Sequence, residues 1–510
     1  MRWFKPFASR STPWFSLGLL GLWLFALGLR FWGLGRFNSL VFDEIYYVKF
    51  AHNYLSQTPF FDGHPPLSKY LIAIGIWLGN QLPIGHDTAN TAVGALYTTW
   101  SYRWLNALTG SLIPLVVAGI AYEISQRRSY ALVAGWFMAL DGLFLVESRY
   151  ALNNVYLVIF GLLGWWSLLR SLAAPRSQSR TLWLLLSGIW FGASASVKWN
   201  GLWFLLGAYG MWAIAWNIRW LRSWQPPTSD LDEDEGLPAE PESPNLLERL
   251  TRLSWWQFGL YLGIVPVVFY FLEWIPHLQL NAKAGLWQDF WELQSQILTY
   301  HERVGDGPKI HPYCSRWFTW IMMLRPVAYF YQITGRHDPL PTGKTPPTTS
   351  PDKVIYDVHA IGNPILWWLA SAAIVLLLWA LAQSLDRWLA TRHSPPAELA
   401  FGDRWTQLSS SEMWLGLFLV VNYAANLVPW MPVTRCTFLY HYMGASVFST
   451  MAIAWFVDRW LRSADSQSRV IGIATILIIL AGFIFWLPLY LGLPLSPTEF
   501  NYRLWFRTWV

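Results

Sequence analysis

Two adjacent carboxylates, Asp43 and Glu44, stand just beyond the first long apolar run, where the chain leaves hydrocarbon for water. Neighbouring carboxylates can hold different protonation states, one acting as a base while the other anchors a hydrogen-bond network. A solvated, inert interfacial pair is the alternative reading of the same two residues. Asp62, His64 and Lys69 follow in the same loop, and Arg30, Arg103, Glu147, Arg149, Lys198, Asn200, Arg435 and His441 stand at or near the ends of other apolar runs. Arginine grips phosphate through two parallel hydrogen bonds, so Arg30 and Arg103 suit an anionic lipid headgroup; a snorkelling anchor is the alternative for each. Asp43, Glu44, Asp62 and His64 have the chemistry to bind a divalent ion but no tight ligand spacing, and no metal is expected. Ser68 and Cys436 lack a nucleophile elbow. Cys314 and Cys436 lie far apart in sequence and read as two unpaired thiols, with a disulfide open if both face an oxidising side.

The elements that must position these residues are membrane spans. Of the 510 residues, 54% are hydrophobic and only 13% charged, about half the usual charged fraction of a soluble domain, and mean hydropathy is +0.29. Soluble, disordered, collagen-like and disulfide-stapled classes are excluded. Apolar runs fall at 14–34, 103–123, 129–147, 151–170, 181–197, 201–217, 256–275, 363–382, 413–431, 437–457 and 470–491, which predicts eleven spans. The 37 Trp and 23 Tyr suit many membrane–water boundaries. Arg2, Lys5 and Arg10 precede a first run too long for a cleavable signal and without a small-residue cleavage site, so it is expected to remain as a span. The net charge of +6 is dispersed in small clusters between runs, which argues for positive-inside loops and against nucleic acid.

The run 67–82 is short, holds Lys69 and Asn80, and opens with His64-Pro65-Pro66. If it does not cross, Arg127/Arg128, Arg170/Arg176/Arg180, Arg219/Arg222/Arg249/Arg252, Arg387/Arg392/Arg404 and Arg459/Arg462/Arg469 all share the N-terminal, cytoplasmic side; if it crosses, that agreement is lost. It is therefore predicted to lie along the outer surface. The same topology gathers the polar residues named above on one outer face. Residues 224–246 read as a solvated acidic linker, and 276–362 as an outer loop packed on the outer face.

Several blocks now matter together: Phe42-Asp43-Glu44-Ile45-Tyr46-Tyr47, Phe61-Asp62-Gly63-His64-Pro65-Pro66-Leu67-Ser68-Lys69, Arg103 with Gly110, Ser148-Arg149-Tyr150, and Lys198-Trp199-Asn200-Gly201. Later come Ser315-Arg316-Trp317, Arg325-Pro326, Gly362-Asn363-Pro364 with Trp367-Trp368, Leu427-Val428-Pro429-Trp430, and Arg435-Cys436-Thr437-Phe438-Leu439-Tyr440-His441-Tyr442. Their order and spacing resemble the protein O-mannosyltransferases that use polyprenyl-phosphate mannose, over nearly the whole chain. Two departures stand out: Ser68 replaces a usual Gly, and Asn154 stands where the family often has Asp. The outer loop is too short for the sugar-binding-like repeats of eukaryotic members, which resembles the bacterial branch.

The resemblance implies an all-α, polytopic GT-C fold with an N-terminal catalytic module at 1–275, which holds a first outer loop at 35–102. An outer loop at 276–362 and a C-terminal four-span module at 363–510 complete it. It implies inverting transfer of mannose from polyprenyl-phosphate mannose to Ser or Thr hydroxyls of secreted or membrane proteins, with no cofactor. Asp43 would be the base and Glu44 its support; His64 and Lys69 would shape the acceptor or lipid-phosphate pocket. Arg30, Arg103, Arg149, Lys198, Arg435 and His441 are the further candidates for the donor phosphate or sugar. The expected setting is the inner membrane of a bacterium, among membrane lipids and beside the translocation machinery, with the site and C-terminus outside. A lipid or glycan acceptor is the alternative enzyme reading; a lipid-sugar transporter is disfavoured because Asp141 is the sole acidic residue well inside a span.

Overall fold

Uninterrupted apolar runs become long helices, because within hydrocarbon the backbone must satisfy its own hydrogen bonds. The computed structural model describes residues 13–224, 245–335, 353–390 and 408–509. Helix α1 covers Pro13–Phe31, α2 Glu44–Leu55 and α3 Leu67–Gly79, followed by a small antiparallel ladder of β1 Ala89–Asn90 with β2 Tyr97–Thr98. Then come α4 Thr99–Ser125, α5 Arg128–Ala139, α6 Gly142–Arg149, α7 Asn154–Ala173, α8 Ser177–Ala195 and α9 Leu202–Ser223. Helix α10 Trp255–Phe258 runs through a π-helical turn into α11 Val265–Leu280; α12 Leu286–Arg303 and α13 Trp317–Ile321 follow. Strands β3 Val327–Gly335 and β4 Lys353–Ala360 pair antiparallel, before α14 Pro364–Ala390, α15 Ser410–Leu427, α16 Met443–Leu461 and α17 Ser466–Leu491.

Helices stand at all eleven expected positions, yet length and composition support eight spans among the described residues, or nine if α5 and α6 count as one. Helices α8 and α16 occupy the two remaining expected positions. The two helices that fall short have reasons to be less apolar: α8 opens Ser177-Gln178-Ser179-Arg180, and in α16 every residue from Met443 to Asp458 is buried in protein rather than lipid. The α5–α6 pair bends by 60° around Asp141. Its carboxylate caps α6, with Oδ1 accepting from the Phe144 amide at 3.0 Å, and Oδ2 accepts from Trp367 Nε1 at 2.5 Å. The one acidic group expected deep in a span is thus employed in holding two helices together.

Helix α3 has 13 residues, about 20 Å of rise, well short of the roughly 30 Å hydrocarbon core. It lies against α4, where Trp104 Nε1 donates to the Gly75 carbonyl at 2.9 Å and a Cβ on Gly79 would meet Ser101 Cα at 2.7 Å. The close approach of α4 to α6 likewise needs Gly110, whose Cβ would sit 2.2 Å from that of Ser148.

The long helices separate two chemistries. At one end are the ion pairs Arg170–Glu123 (2.8 Å), Arg222–Glu248 (3.0 Å), Arg127–Glu412 (3.5 Å) and Arg462–Asp458 (3.6 Å). At the other, near the starts of α4 and α7, lie Asp43, Lys198, Arg435 and the Arg103–Glu44 pair. Most of the acidic linker, the basic residues before Pro13, Arg392, Arg404 and the Pro/Thr-rich stretch from Pro339 fall outside the described residues. The 276–335 and 353–362 pieces pack as a helix and a hairpin, and that hairpin adds the main strands to a fold expected to be all helical. Cys314 and Cys436 form a disulfide with Cα atoms 5.1 Å apart, which replaces the reading of two free thiols. It ties the segment before α13 to the one carrying Arg435.

Candidate active site

Glu44 is buried and fully employed. Its Oε1 accepts from Arg103 Nε at 2.8 Å and its Oε2 from Arg103 Nη2 at 2.7 Å; the amides of Ala151 and Val41 add one bond each at 2.8 Å. Arg103 spends its other hydrogens on the carbonyls of Leu34, Phe37 and Ser39 at 3.1, 3.1 and 2.8 Å. Five N–H groups meet five bonds, so Arg103 has none left for a phosphate. Arg149 does a similar job one turn away: Nη1 takes the carbonyls of Leu29, Arg30 and Trp32 and Nη2 that of Gly33, which caps the C-terminus of α1 with a cation. Arg30 lies buried in α1, bonded to the Ala26 carbonyl at 3.2 Å. Glu44, Arg103 and Arg149 are staples of the loop that follows α1. Glu44 thus stands as the support expected of it, Arg103 is saturated inside the loop, and Arg30 and Arg149 keep buried N–H groups without a partner.

Asp43 is what the staple presents. It precedes α2 without capping it, so its half-buried carboxylate keeps its lone pairs. Burial pushes its pKa up to about 6; Lys198 opposes that shift and Asp62 adds to it. Lys69 is fully buried in an ion pair with Asp62 at 2.6 Å, and it also donates to the carbonyls of His64 and Pro65 at 3.1 and 2.5 Å. With two hydrogens on carbonyls and its charge met by Asp62, Lys69 shapes the 62–66 turn. Gly63 in that turn is required by packing, since a Cβ would meet the Tyr300 ring at 2.5 Å.

Lys198 sits where the chain breaks between α8 and α9. Its ammonium donates to Asn154 Oδ1 at 2.9 Å and lies 5.2 Å from the Tyr440 ring centre. Asn154 Nδ2 in turn donates to Glu147 Oε2 at 3.1 Å, and the Tyr329 hydroxyl donates to Glu147 Oε1. A carboxylate next to Asn154 is therefore supplied from α6, seven residues earlier, by Glu147. Burial lowers the pKa of Lys198, while Glu147 and Asp43 act against that shift.

Arg435 is partly exposed, with Nη1 on the Cys436 carbonyl at 3.2 Å. Burial lowers its pKa, with Tyr440 and Tyr300 raising it. His64 stacks near His301 at 5.2 Å, and burial followed by Lys198 and His301 holds its pKa well below the ordinary value, which makes it a neutral ligand. His301 is lowered to about 4, chiefly by burial and then by Arg435. His441 stacks on Trp320 at 5.9 Å, and its Nδ1 meets the backbone of Phe438 at 3.0–3.1 Å, closing the turn after Arg435. The structure thus brings Asp43, His64, Lys198 and Arg435 together. Tyr329, Glu147, Asn154 and His301, which the sequence reading left without roles, complete the group.

A family model described as dolichyl-phosphate-mannose-protein mannosyltransferase matches residues 21–281, and the C-terminal four TMM region of protein-O-mannosyltransferase matches residues 286–509. The chain belongs to this family. Among similar proteins, the polyprenol-phosphate-mannose–protein mannosyltransferase of Mycolicibacterium smegmatis is 22% identical, over 94% of this chain and 90% of its own length. The protein O-mannosyl-transferase 1 of Mus musculus is 29% identical over 53% of this chain and 34% of its own. The fold is similar to that in the S. cerevisiae Pmt1-Pmt2 complex bound to the sugar donor, with TM-score 0.74, 15% identity, and coverage of 98% of this chain and 93% of that one. This member of the mannosyltransferase family is an integral membrane glycosyltransferase with the GT-C fold.

Proposed function

We propose that the chain transfers mannose from a polyprenyl-phosphate-mannose lipid to Ser or Thr hydroxyls of polypeptides, with inversion, at the outer face of a bacterial inner membrane. The single observation that carries this reading is the contrast between Asp43 and its neighbours. Glu44 and Arg103 are consumed by internal hydrogen bonds and Lys69 by two carbonyls and Asp62, while Asp43 keeps an uncapped carboxylate with a raised pKa, facing Lys198.

In this scheme the acceptor oxygen attacks the anomeric carbon and its proton passes to an Asp43 oxygen. The bond from that carbon to the phosphate oxygen breaks, and the electron pair leaves with the polyprenyl phosphate. Lys198 and Arg435 are the cations with capacity to meet the growing phosphate charge, a task for which fixed, partly desolvated donors are effective. Neutral His64 and His301 border the acceptor side. The test is transfer of labelled mannose from the lipid donor to a Ser/Thr peptide by the purified protein in nanodiscs, with the anomeric configuration of the product read by NMR. Inversion relative to the donor is expected. Retention, or transfer to lipid or glycan with none to peptide, would overturn the reading.

A further inference from the structure

The backbone that presents Asp43 is held against its own preference. Phe42, the residue before it, has φ of +53°, in the left-handed region that a residue with a Cβ disfavours by about one order of magnitude. Such a conformation persists where its surroundings over-determine it. Here the Phe42 ring lies flat on that of Tyr329, with centroids 4.1 Å apart and planes 7° from parallel. Phe438 and Tyr440 close edge-on at 6.5 and 6.3 Å. Tyr329 is buried and pinned by its hydroxyl bond to Glu147, which continues through Asn154 to Lys198. The path from Asp43 through Phe42, Tyr329, Glu147 and Asn154 to Lys198 returns to the cation that Asp43 faces. Tyr329 itself comes from β3, 287 residues downstream of Phe42 in the sequence numbering.

We propose that Tyr329 is a positioning residue for the transfer reaction: its ring holds Phe42 in the left-handed conformation that aims the Asp43 carboxylate at the reacting hydroxyl. The outer-loop hairpin thereby sets the geometry of a base carried by the N-terminal half. This rests on the reading of Asp43 as the base.

The experiment compares Tyr329→Leu, Tyr329→Phe, Phe42→Leu and the Phe42→Leu/Tyr329→Leu double variant of the full chain in nanodiscs, measuring kcat and donor KM separately. Tyr329→Leu and Phe42→Leu are each expected to lose roughly tenfold in kcat, with donor KM changed by less than about twofold. Tyr329→Phe keeps the ring and should stay within about threefold of the parent. Because both Leu changes remove one stack, the double variant should be no slower than the worse single. Should Tyr329→Leu not fold, Phe42→Leu and Tyr329→Phe decide the matter through the same kcat and KM values. Normal kcat in either Leu variant, multiplicative losses in the double, or a Tyr329→Phe defect as large as that of Tyr329→Leu would overturn the inference. The two readings fail separately: turnover in Asp43→Asn removes the base, whereas an inactive Asp43→Asn beside normal Tyr329→Leu and Phe42→Leu removes only the role of Tyr329.

Discussion

Asp43 and Glu44 are chain neighbours of one chemical type, and their surroundings give them opposite work. Glu44 accepts four hydrogen bonds in a buried pair with Arg103 and has no capacity left. Asp43, one residue earlier, has its proton affinity raised by burial to a pKa of about 6 and restrained by Lys198. On the proposal that deprotonated Asp43 is the base, kcat/KM should rise with pH through about 6 and fall roughly tenfold per unit below it. Lys198, whose burial lowers its pKa, supplies the opposite limb: rate is lost as the ammonium deprotonates at alkaline pH. Lys198→Arg, which stays charged, should abolish the alkaline limb while leaving the acid limb in place. A pH series on both enzymes checks this, and an unchanged alkaline limb in Lys198→Arg would assign that titration to another group.

At the scale of elements, the first outer loop is built by two arginines that act on backbone carbonyls: Arg149 caps α1, and Arg103 ties residues 34–39 to the start of α2. Removing one member of a buried ion pair leaves the other charge uncompensated, at a cost of about 3–5 kcal/mol. Glu44→Gln should therefore lower thermal stability and yield in proportion to its loss of activity, and Arg103→Lys should do the same because Lys has three donors for five acceptor contacts. A stable Arg103→Lys protein with donor KM alone weakened would return Arg103 to the donor site. Most of these elements were legible in sequence, because a run of about 20 apolar residues can do little other than span. The expectation that α3 does not cross rests on its length and on charge parity, and its 13 residues agree with the first of these. Strands β3 and β4 carried a signal in their Val, Ile, Tyr and Phe content that membrane periodicity overshadowed. The Tyr329–Glu147 bond, 182 residues apart in sequence, and the Cys314–Cys436 bridge, 122 apart, depend on tertiary approach that no local pattern encodes. Asp43, Lys198 and Arg435 were legible as chemistry, whereas the division between staples and free groups became visible only when each hydrogen was counted.

For the whole molecule, separated ends give the function its direction. The pairs of Arg127, Arg170 and Arg222 with carboxylates lie at one end of the bundle, and the cluster of Asp43, Lys198 and Arg435, with the Arg103–Glu44 pair, at the other. Basic residues favour the cytoplasmic side, and the proposed orientation sets the reaction on the opposite, outer face. Reporter fusions within 225–244 and after Trp509 should accordingly report opposite sides of the membrane, with the first inside. The same side for both would refute the orientation. The central claim, that Asp43 takes the proton of the attacking hydroxyl, is tested most directly by one measurement on Asp43→Asn in nanodiscs: single-turnover transfer with donor affinity determined on the same preparation. A positioned base contributes roughly 10²–10⁴-fold to such a step, so the rate should fall by that factor while the polyprenyl-phosphate-mannose donor binds as before. Near-normal single-turnover transfer in a folded Asp43→Asn enzyme, or a rate loss wholly explained by weakened donor binding, would contradict it.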